Sequence, residues 1–214
     1  MSDNSKLLNT EDIRFLLEDL NNHLVNHGCD ATLVIGGGAA IIAAHGSREA
    51  TKDIDALFQP SQAVRDAASE VASQYDLNKD WLNDGLKGFV DPRNSGTVPL
   101  YKFGNLNVLR FDDETLLAMK LSAARIDDEK DRLDALCLMR AIGITAIDEL
   151  YDLVERKTYA NQRTPMVDYF IQDVFATYER EGGVDSIINE AKDVSESREE
   201  QSELKEPESK EEER

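Results

Sequence analysis

The chain has few cysteines and few positive charges. Its two cysteines, Cys29 and Cys137, lie far apart, and neither belongs to a CxxC pair or to a histidine spacing typical of zinc sites. We therefore expect two free thiols in a reducing compartment, where disulfides do not persist. Only 24 Lys and Arg residues face 43 Asp and Glu residues, and the net charge of -19 repels polyanions. This charge argues against a protein that coats nucleic acid in general.

Long apolar runs are also missing. No run approaches the roughly 20 residues needed to cross a bilayer, and the N-terminal MSDNSKLLNTED has neither the basic start nor the apolar segment of a signal peptide. We therefore expect a cytosolic protein with no membrane partner. Residues 193–214 contain ten acids and four bases with almost no apolar side chain. Because such a segment buries too little surface to offset its ordering entropy, we predict a disordered or frayed-helix tail.

The apolar residues that are present suffice for one ordinary domain. Their spacing and the turn residues between them predict the elements of the first half. These are a helix from Thr10 to about Gly28, a strand at 32–35 buried on both faces, a short Ala-rich helix closed by Gly46, a strand at 53–58 and a helix at about 61–75.

The second half begins with a predicted hairpin and continues with helices. VPLYKF and LNVLRF flank Gly104-Asn105, which is a typical hairpin turn. Residues from Thr115 to about Lys192 are predicted helical, with Thr145 and Asp148 as a capping box and Thr164 as a cap before Pro165. This order predicts an α/β or α+β domain, with a core over 1–114, a helical part over 115–192 and the tail over 193–214.

Three consecutive glycines, Gly36, Gly37 and Gly38, lie between the first predicted strand and the Ala-rich helix. Bare backbone N–H groups at a helix N-terminus can approach phosphate oxygens closely, because no side chain holds the phosphate away. The segment is neither a Walker loop nor a GxGxxG motif. On its own, a glycine run is also consistent with a tight turn.

Asp53 and Asp55 are separated by one residue in the second predicted strand, so their side chains point to the same face. Two carboxylates this close repel each other unless a cation lies between them. Magnesium is the natural candidate because it prefers carboxylate and phosphate oxygens, and manganese is an alternative. An exposed polar strand face would explain the pair equally well if it stood alone. The order of glycines, helix, Arg48, Thr51 and acid pair favours a functional site.

These residues resemble a known signature. Gly37-Gly38, fourteen intervening residues and Asp53-Ile54-Asp55 look like the motif of the DNA polymerase beta-type nucleotidyltransferase superfamily. The wider GGGAAIIAAHGSREATKDID is similar to bacterial minimal nucleotidyltransferases and to relatives of AbiEii-type toxins. LLAMKLSAARIDDEKDRLDAL resembles the helical segment of the same relatives, where a lysine and a later Asp-x-x-Asp recur. The resemblance covers roughly residues 30–140.

The resemblance implies a nucleotidyltransferase fold with a small mixed sheet flanked by helices. It also implies that Asp53 and Asp55 hold magnesium on a nucleoside triphosphate. Backbone groups of Gly36, Gly37 and Gly38, with Arg48 and Thr51, would bind the nucleotide, and Lys120 and Asp131 would be catalytic. The acceptor would be a protein or an RNA, and the chain would be a toxin with an antitoxin partner or part of a phage-defence pair. The runner-up interpretation is an inactive nucleotide-binding or protein-interaction module.

Several residues keep two interpretations. Active relatives usually carry a third carboxylate on a later strand, but LNVLRFDDE has acids only at its end, Asp112 and Asp113. Either could serve, and Asp113 could equally be the N-cap of the helix near Thr115. Lys120 lies near the apolar side of its helix, where it either meets a phosphate or extends its amine to water.

Asp131 and Asp134 share a helical face and either orient Lys120, bind a metal or are ordinary first-turn acids. Arg48 either clamps a phosphate or pairs with an acid. Trp81, with Asn83 and Asp84, either walls a base pocket or, as a lone tryptophan often does, lies in the core. A local basic groove of Lys87, Lys102, Arg110 and Lys120 would be needed for RNA binding despite the negative net charge. The three histidines are expected at the surface or at helix ends.

Overall fold

A mixed sheet surrounded by helices forms the fold. The computed structural model describes residues 6–47, 49–89, 93–123, 128–159 and 163–183. In chain order the elements are α1 (Thr10–Asn26), β1 (Ala31–Ile35), α2 (Gly37–His45), β2 (Ile54–Gln59), α3 (Ser61–Tyr75), β3 (Leu82–Asn83), β4 (Thr97–Lys102), β5 (Leu106–Phe111), α4 (Asp113–Ala123), α5 (Glu129–Ile142), α6 (Ile147–Lys157) and α7 (Pro165–Arg180). The predicted fold class, mixed α/β with a helical C-terminal half, is confirmed.

The order of the strands brings the sequence motifs to one edge of the sheet. The order is β3-β2-β1-β5-β4. Strand β1 is parallel to β5 and antiparallel to β2, and β2 is parallel to β3. The C-terminal end of β1, where the glycines follow, therefore lies beside the N-terminal end of β2, where the two acids lie. The end of β5 and the start of α4 lie at the same edge.

One contiguous apolar core holds the sheet and the helices together. Helix α1 contributes an apolar stripe that includes Leu16, Leu20 and Leu24, each at most 2% exposed. Trp81 is only 1% exposed, and its indole N–H donates to the Ala68 carbonyl at 3.0 Å. Of its two interpretations, the core one is therefore confirmed, because a ring buried this deeply has no face for a ligand.

Local predictions along the first half are mostly confirmed. Helix α3 has the predicted bounds, and β4 and β5 form the predicted antiparallel hairpin. The prediction that β1 is buried on both faces is wrong. Thr32 is exposed and Val34 is half-buried, because alternate side chains point to opposite faces and only one face is fully covered. Strand β2 begins at Ile54, so Asp53 lies just before the strand.

Two helix caps differ from prediction by one residue. Helix α6 begins at Ile147, and the Glu149 carboxylate, not that of Asp148, accepts the Thr145 and Ala146 backbone N–H groups at 3.0 and 2.9 Å. Because α4 begins at Asp113, its cap is Asp112, which accepts the Thr115 N–H at 2.8 Å. The prediction that Asp113 is the cap is wrong.

Other predictions on the helices and ends of the chain have varied outcomes. The Thr164 cap is confirmed, since its hydroxyl accepts the Val167 N–H at 3.4 Å. Both cysteines are free thiols. No helix in the described ranges is long and apolar enough to span a membrane. Arg48 and the tail at 193–214 lie outside the described residues, and the division of the chain at residue 114 stays a prediction.

Candidate functional site

A cleft of about 270 Å³ lies where the glycines, the acids and helix α4 meet. Its polar lining consists of Asp55, Lys120 and Asp131, with the backbone of Gly37, Gly38 and Gly85. Its apolar lining consists of Leu86, Phe89, Leu116, Met119 and Ala123. Five residues predicted to act in the site therefore line one cleft, although Asp55 and Asp131 are 76 positions apart in the sequence.

The Asp55 carboxylate packs against two glycines. A Cβ atom on Gly37 would lie 2.7 Å from Asp55 Oδ2, and one on Gly85 would lie 3.0 Å from Asp55 Oδ1. Real Cβ atoms do not approach this closely, so any larger residue at position 37 has to move the carboxylate. Gly37 also has a φ of 57°, a conformation that side chains rarely adopt. The glycine is thus required by the acid as well as by its own backbone.

We expect Gly37→Ala to abolish function through Asp55 and to cost about 1–2 kcal/mol of stability through its positive φ. Gly46 is the matched control, because it closes the same helix with a φ of 62° and a Cβ atom added to it would meet no neighbouring group within 4 Å. Gly46→Ala should lose similar stability, measured by urea unfolding, yet keep the magnesium-linked nucleotide binding that the sequence predicts. Equal loss of binding in both variants would contradict the proposed contact.

Asn83 completes the polar surroundings of the acid pair. It lies directly beside Asp55 in the β2–β3 ladder, and its amide nitrogen is 3.4 Å from Asp53 Oδ2. Its amide oxygen accepts the Gly85 backbone N–H at 2.7 Å. The side chain therefore donates toward the acids and at the same time fixes the turn that follows β3.

The Asp55 carboxyl is harder to ionise in the folded protein than in water. Burial raises the pKa of Asp55, and the charge of Asp53 raises it further. A hydrogen bond from Asn83 and the charge of Lys120 act in the opposite direction and only partly offset these effects. The net upward shift means that ionising Asp55 beside Asp53 carries a free-energy penalty. A bound cation would remove this penalty.

Lys120 belongs to a buried ion-pair network. Its amine lies 2.8 Å from Asp131 Oδ1 and 3.0 Å from Asp134 Oδ2. Asp134 is fully buried and also accepts a hydrogen bond from the Ser47 hydroxyl at 2.9 Å. The amine therefore points inward and does not extend to water. Both acids therefore contact Lys120 as one interpretation expected, and Asp131 also lies in the first turn of α5.

Gly36 and Thr51, two further residues of the predicted nucleotide site, make other contacts. The Gly36 N–H donates to the Asp55 carbonyl at 2.9 Å, and a Cβ at Gly36 would lie 2.7 Å from Leu86. Thr51 is 6% exposed, and its backbone bridges to Leu8 through two hydrogen bonds of 2.7 and 2.9 Å. Neither residue lines the cleft. Their nucleotide-binding roles stay predictions, as does that of Arg48.

Asp112 and Asp113, the two candidates for the third carboxylate, make contacts outside the cleft. Asp112 caps α4, and Asp113 contacts His45 at 2.9 Å and Arg110 at 2.6 Å. Burial would raise the pKa of Asp113, but His45 and Arg110 hold it below its usual range. The strand beside β2 on the outer side is β3, not β5. The neighbouring position thus belongs to the neutral Asn83, which the sequence suggested only for a base-pocket wall; its place beside Asp55 was not predicted, because β3 has only two residues.

The four cations of the possible basic groove have different surroundings. Lys120 is held by two acids in the cleft, Arg110 pairs with Asp113, and Lys87 pairs with Asp84. Lys102 lines a separate depression that includes Asp30. The groove itself stays a prediction.

The donor set of the site is small and consists of oxygens. In the part of the chain that the structure describes, no group of three or more His, Cys, Asp or Glu side chains could hold a metal ion. The acid pair thus offers two carboxylates with the Asn83 carboxamide beside them. Magnesium commonly takes one or two carboxylates and completes its shell with water and substrate phosphates. The residues present fit that manner of binding.

Comparison with known families agrees with this arrangement. The model of a family described as nucleotidyltransferase of unknown function (DUF6036) matches residues 11–180. The chain belongs to this family. The match includes the glycines, the acid pair, Asn83 and the Lys120 segment, whereas the narrower relation to AbiEii-type toxins stays a prediction. No curated protein and no solved structure matches the chain.

Proposed function

We propose that this DUF6036 member is a magnesium-dependent nucleotidyltransferase that moves a nucleoside monophosphate from a nucleoside triphosphate to a hydroxyl of a protein or RNA. The observation that carries the proposal is the packing of the Asp55 carboxylate over Gly37, at the start of α2, in the cleft that Lys120 also lines. Cation ligands and phosphate donors thereby lie within one small space. Family membership supports the reaction class.

Asp53 and Asp55 are the residues that would hold magnesium, and manganese would suit the same oxygen donors. When bound, the ion would neutralise phosphate charge and so favour attack on phosphorus. Asn83 keeps Asp53 in place through its amide nitrogen. The raised pKa of Asp55 supports this assignment, because a cation between the two acids would offset the penalty of ionising Asp55 beside Asp53.

The start of α2 is suited to the phosphates of the nucleotide. The first N–H groups of an α-helix have no partner within the helix, and the helix dipole places positive charge there. Gly37 and Gly38 line the cleft at this end without side chains that would hold a phosphate away. Lys120 adds a positive charge to the same cleft, and Asp131 and Asp134 fix its position.

The proposed reaction is an in-line displacement at the α-phosphorus. The acceptor hydroxyl oxygen forms a bond to the α-phosphorus, the bond from that phosphorus to the bridging oxygen of the β-phosphate breaks, and pyrophosphate leaves. The hydroxyl proton passes to water. The chain's contribution is positioning and charge neutralisation, on which phosphoryl transfer chiefly depends.

The test is transfer of label from nucleoside triphosphates. Purified protein is incubated with magnesium, bacterial extract and each α-labelled triphosphate in turn, beside a reaction with EDTA. We expect magnesium-dependent label that is protease-sensitive if the acceptor is a protein and ribonuclease-sensitive if it is an RNA. Binding of triphosphate without any transfer would instead support the inactive-module alternative, which the neutral Asn83 beside Asp55 favours.

The proposed toxin role rests on resemblance alone and needs a separate test. Expression of the unchanged chain in a bacterial host is expected to arrest growth if the acceptor is essential, whereas expression of Asp55→Asn is not. Rescue of growth by a co-expressed neighbouring gene product would identify an antitoxin partner. Normal growth at high expression of a transfer-active chain would argue against a toxin.

A further inference from the structure

The apolar lining of the cleft includes one exposed aromatic ring. Phe89 is 41% exposed, whereas Leu86 and Leu116, which also line the cleft, are at most 5% exposed. Single exposed apolar residues are common on protein surfaces and need no explanation. Phe89 differs from them because it lines the cleft that also contains Asp55 and Lys120. Its ring is therefore available to a ligand whose charged part meets Asp55 and Lys120.

The segment that carries Phe89 is held in place by several contacts. The Phe89 N–H donates to the Leu86 carbonyl at 3.2 Å, and the Lys87 N–H donates to the Asp84 carbonyl at 3.1 Å. The Asp84 carboxylate pairs with Arg65 of α3 at 2.6 Å and also with Lys87. Leu86 packs against the backbone at Gly36. The turn after β3 thus joins the acid pair to the ring through a few fixed residues.

We propose that Phe89 is the surface on which the nucleobase stacks, so that Phe89 and the apolar residues beside it form the base subsite. This inference rests on the proposed function, since it assumes that Asp55, Lys120 and the glycines take the triphosphate. An aromatic ring can stack on any nucleobase, because every base has a π-face. The sequence suggested Trp81 for this role, but Trp81 is buried in the core. We therefore assign the role to Phe89.

The composition of the subsite indicates tolerance toward the base. Among the described residues, the apolar side chains that line the cleft and would form the subsite are Leu86, Phe89, Leu116, Met119 and Ala123. None of these side chains has an amide, a hydroxyl or a charged group that could read the edge of a base. We therefore expect the four ribonucleoside triphosphates to bind with affinities within about 10-fold of one another, as is typical of stacking without edge readout.

The experiment compares two probes by calorimetry in magnesium: a nonhydrolysable nucleoside triphosphate and inorganic tripolyphosphate. Phe89→Ala is expected to weaken the nucleotide by about 10-fold, within the range for loss of one base-stacking contact, and to leave tripolyphosphate unchanged. Phe89→Trp, which keeps an aromatic ring at this position, should bind the nucleotide about as tightly as the unchanged chain. Tyr169→Ala, which removes a 56% exposed ring of α7, is the matched control and should change neither probe.

The outcomes separate this inference from the proposed function. Unchanged nucleotide affinity in Phe89→Ala, or equal weakening of both probes, would overturn the base subsite. Equal affinity of the unchanged chain for nucleotide and tripolyphosphate would do the same and would leave the phosphate site standing. If the unchanged chain bound neither probe, the proposed function would fail and the base subsite with it.

Discussion

Replacing Asp55 by asparagine is expected to lower nucleotidyl transfer by about 1,000-fold or more, as loss of a group that organises transition-state charge does. The carboxylate lines the cleft and packs against Gly37 and Gly85. Asparagine has nearly the same shape but is neutral, so it keeps the packing and loses the anionic ligand. The measurement is initial-rate label transfer over a range of magnesium concentrations.

Asp55→Asn should also leave the metal-free protein as stable as the unchanged chain or make it more stable. Burial and the charge of Asp53 raise the pKa of Asp55 in the folded state. The ionised carboxylate therefore destabilises the fold above that raised pKa, and the penalty disappears as the pH falls below the ordinary carboxyl range. Thermal unfolding in EDTA at neutral pH checks this sign and separates lost chemistry from misfolding.

Asp66→Asn is the control for Asp55→Asn. Asp66 is an exposed acid of α3 that bonds Gln62 and lies outside the cleft. The Asp66→Asn variant loses the same charge outside the cleft, so nucleotidyl transfer should persist. Transfer by Asp55→Asn within 10-fold of the unchanged chain, on a rough scale set by single-ligand losses, would mean that the carboxylate has no part in the reaction.

Replacing Lys120 by methionine is expected to cost about 3–5 kcal/mol of unfolding free energy. The amine bonds Asp131 and Asp134, and Asp134 is fully buried. Methionine fills similar space but leaves a buried carboxylate without its cation, which is the costly way to break such a pair. Urea unfolding monitored by circular dichroism measures the loss.

A second variant shows whether the charge of Asp134 causes that loss. Lys120→Met combined with Asp134→Asn removes both charges, so a substantial part of the stability should return. Lys87→Met is the surface control, because Lys87 is 60% exposed and pairs with Asp84 at the surface. It should cost only about 0–1 kcal/mol. A loss of less than about 1 kcal/mol in Lys120→Met would show that Lys120 does not stabilise the buried charge of Asp134.

The sequence predicted the parts of the fold and site that depend on local pattern. The acid pair and the glycines meet because a strand, a short helix and a returning strand follow one another directly, and this order is visible in the residues. Helix α3 and the hairpin were predictable for the same reason. Lys120 and its two acids were predictable as a group, since helical spacing places Asp131 and Asp134 on one face.

Other parts depend on contacts that no local pattern records. Strand β3 has two residues, too few for a periodic signal, so the position of Asn83 beside Asp55 follows only from strand pairing. The Ser47 hydroxyl reaches Asp134 across 87 positions in the sequence. Trp81 gave an ambiguous signal, because a lone tryptophan suits both a core and a pocket wall. Burial decided that case, and burial is a property of the whole fold.

The central claim is that Asp53 and Asp55 bind a divalent cation together with a nucleoside triphosphate. The most direct measurement is a calorimetric titration of a nonhydrolysable triphosphate into the unchanged chain and into the Asp53→Asn, Asp55→Asn double variant, each in magnesium and in EDTA. We predict that magnesium raises the affinity of the unchanged chain by at least about 10-fold, or roughly 1.4 kcal/mol, and has no such effect on the variant. Equal affinities in magnesium and EDTA for the unchanged chain would contradict the claim.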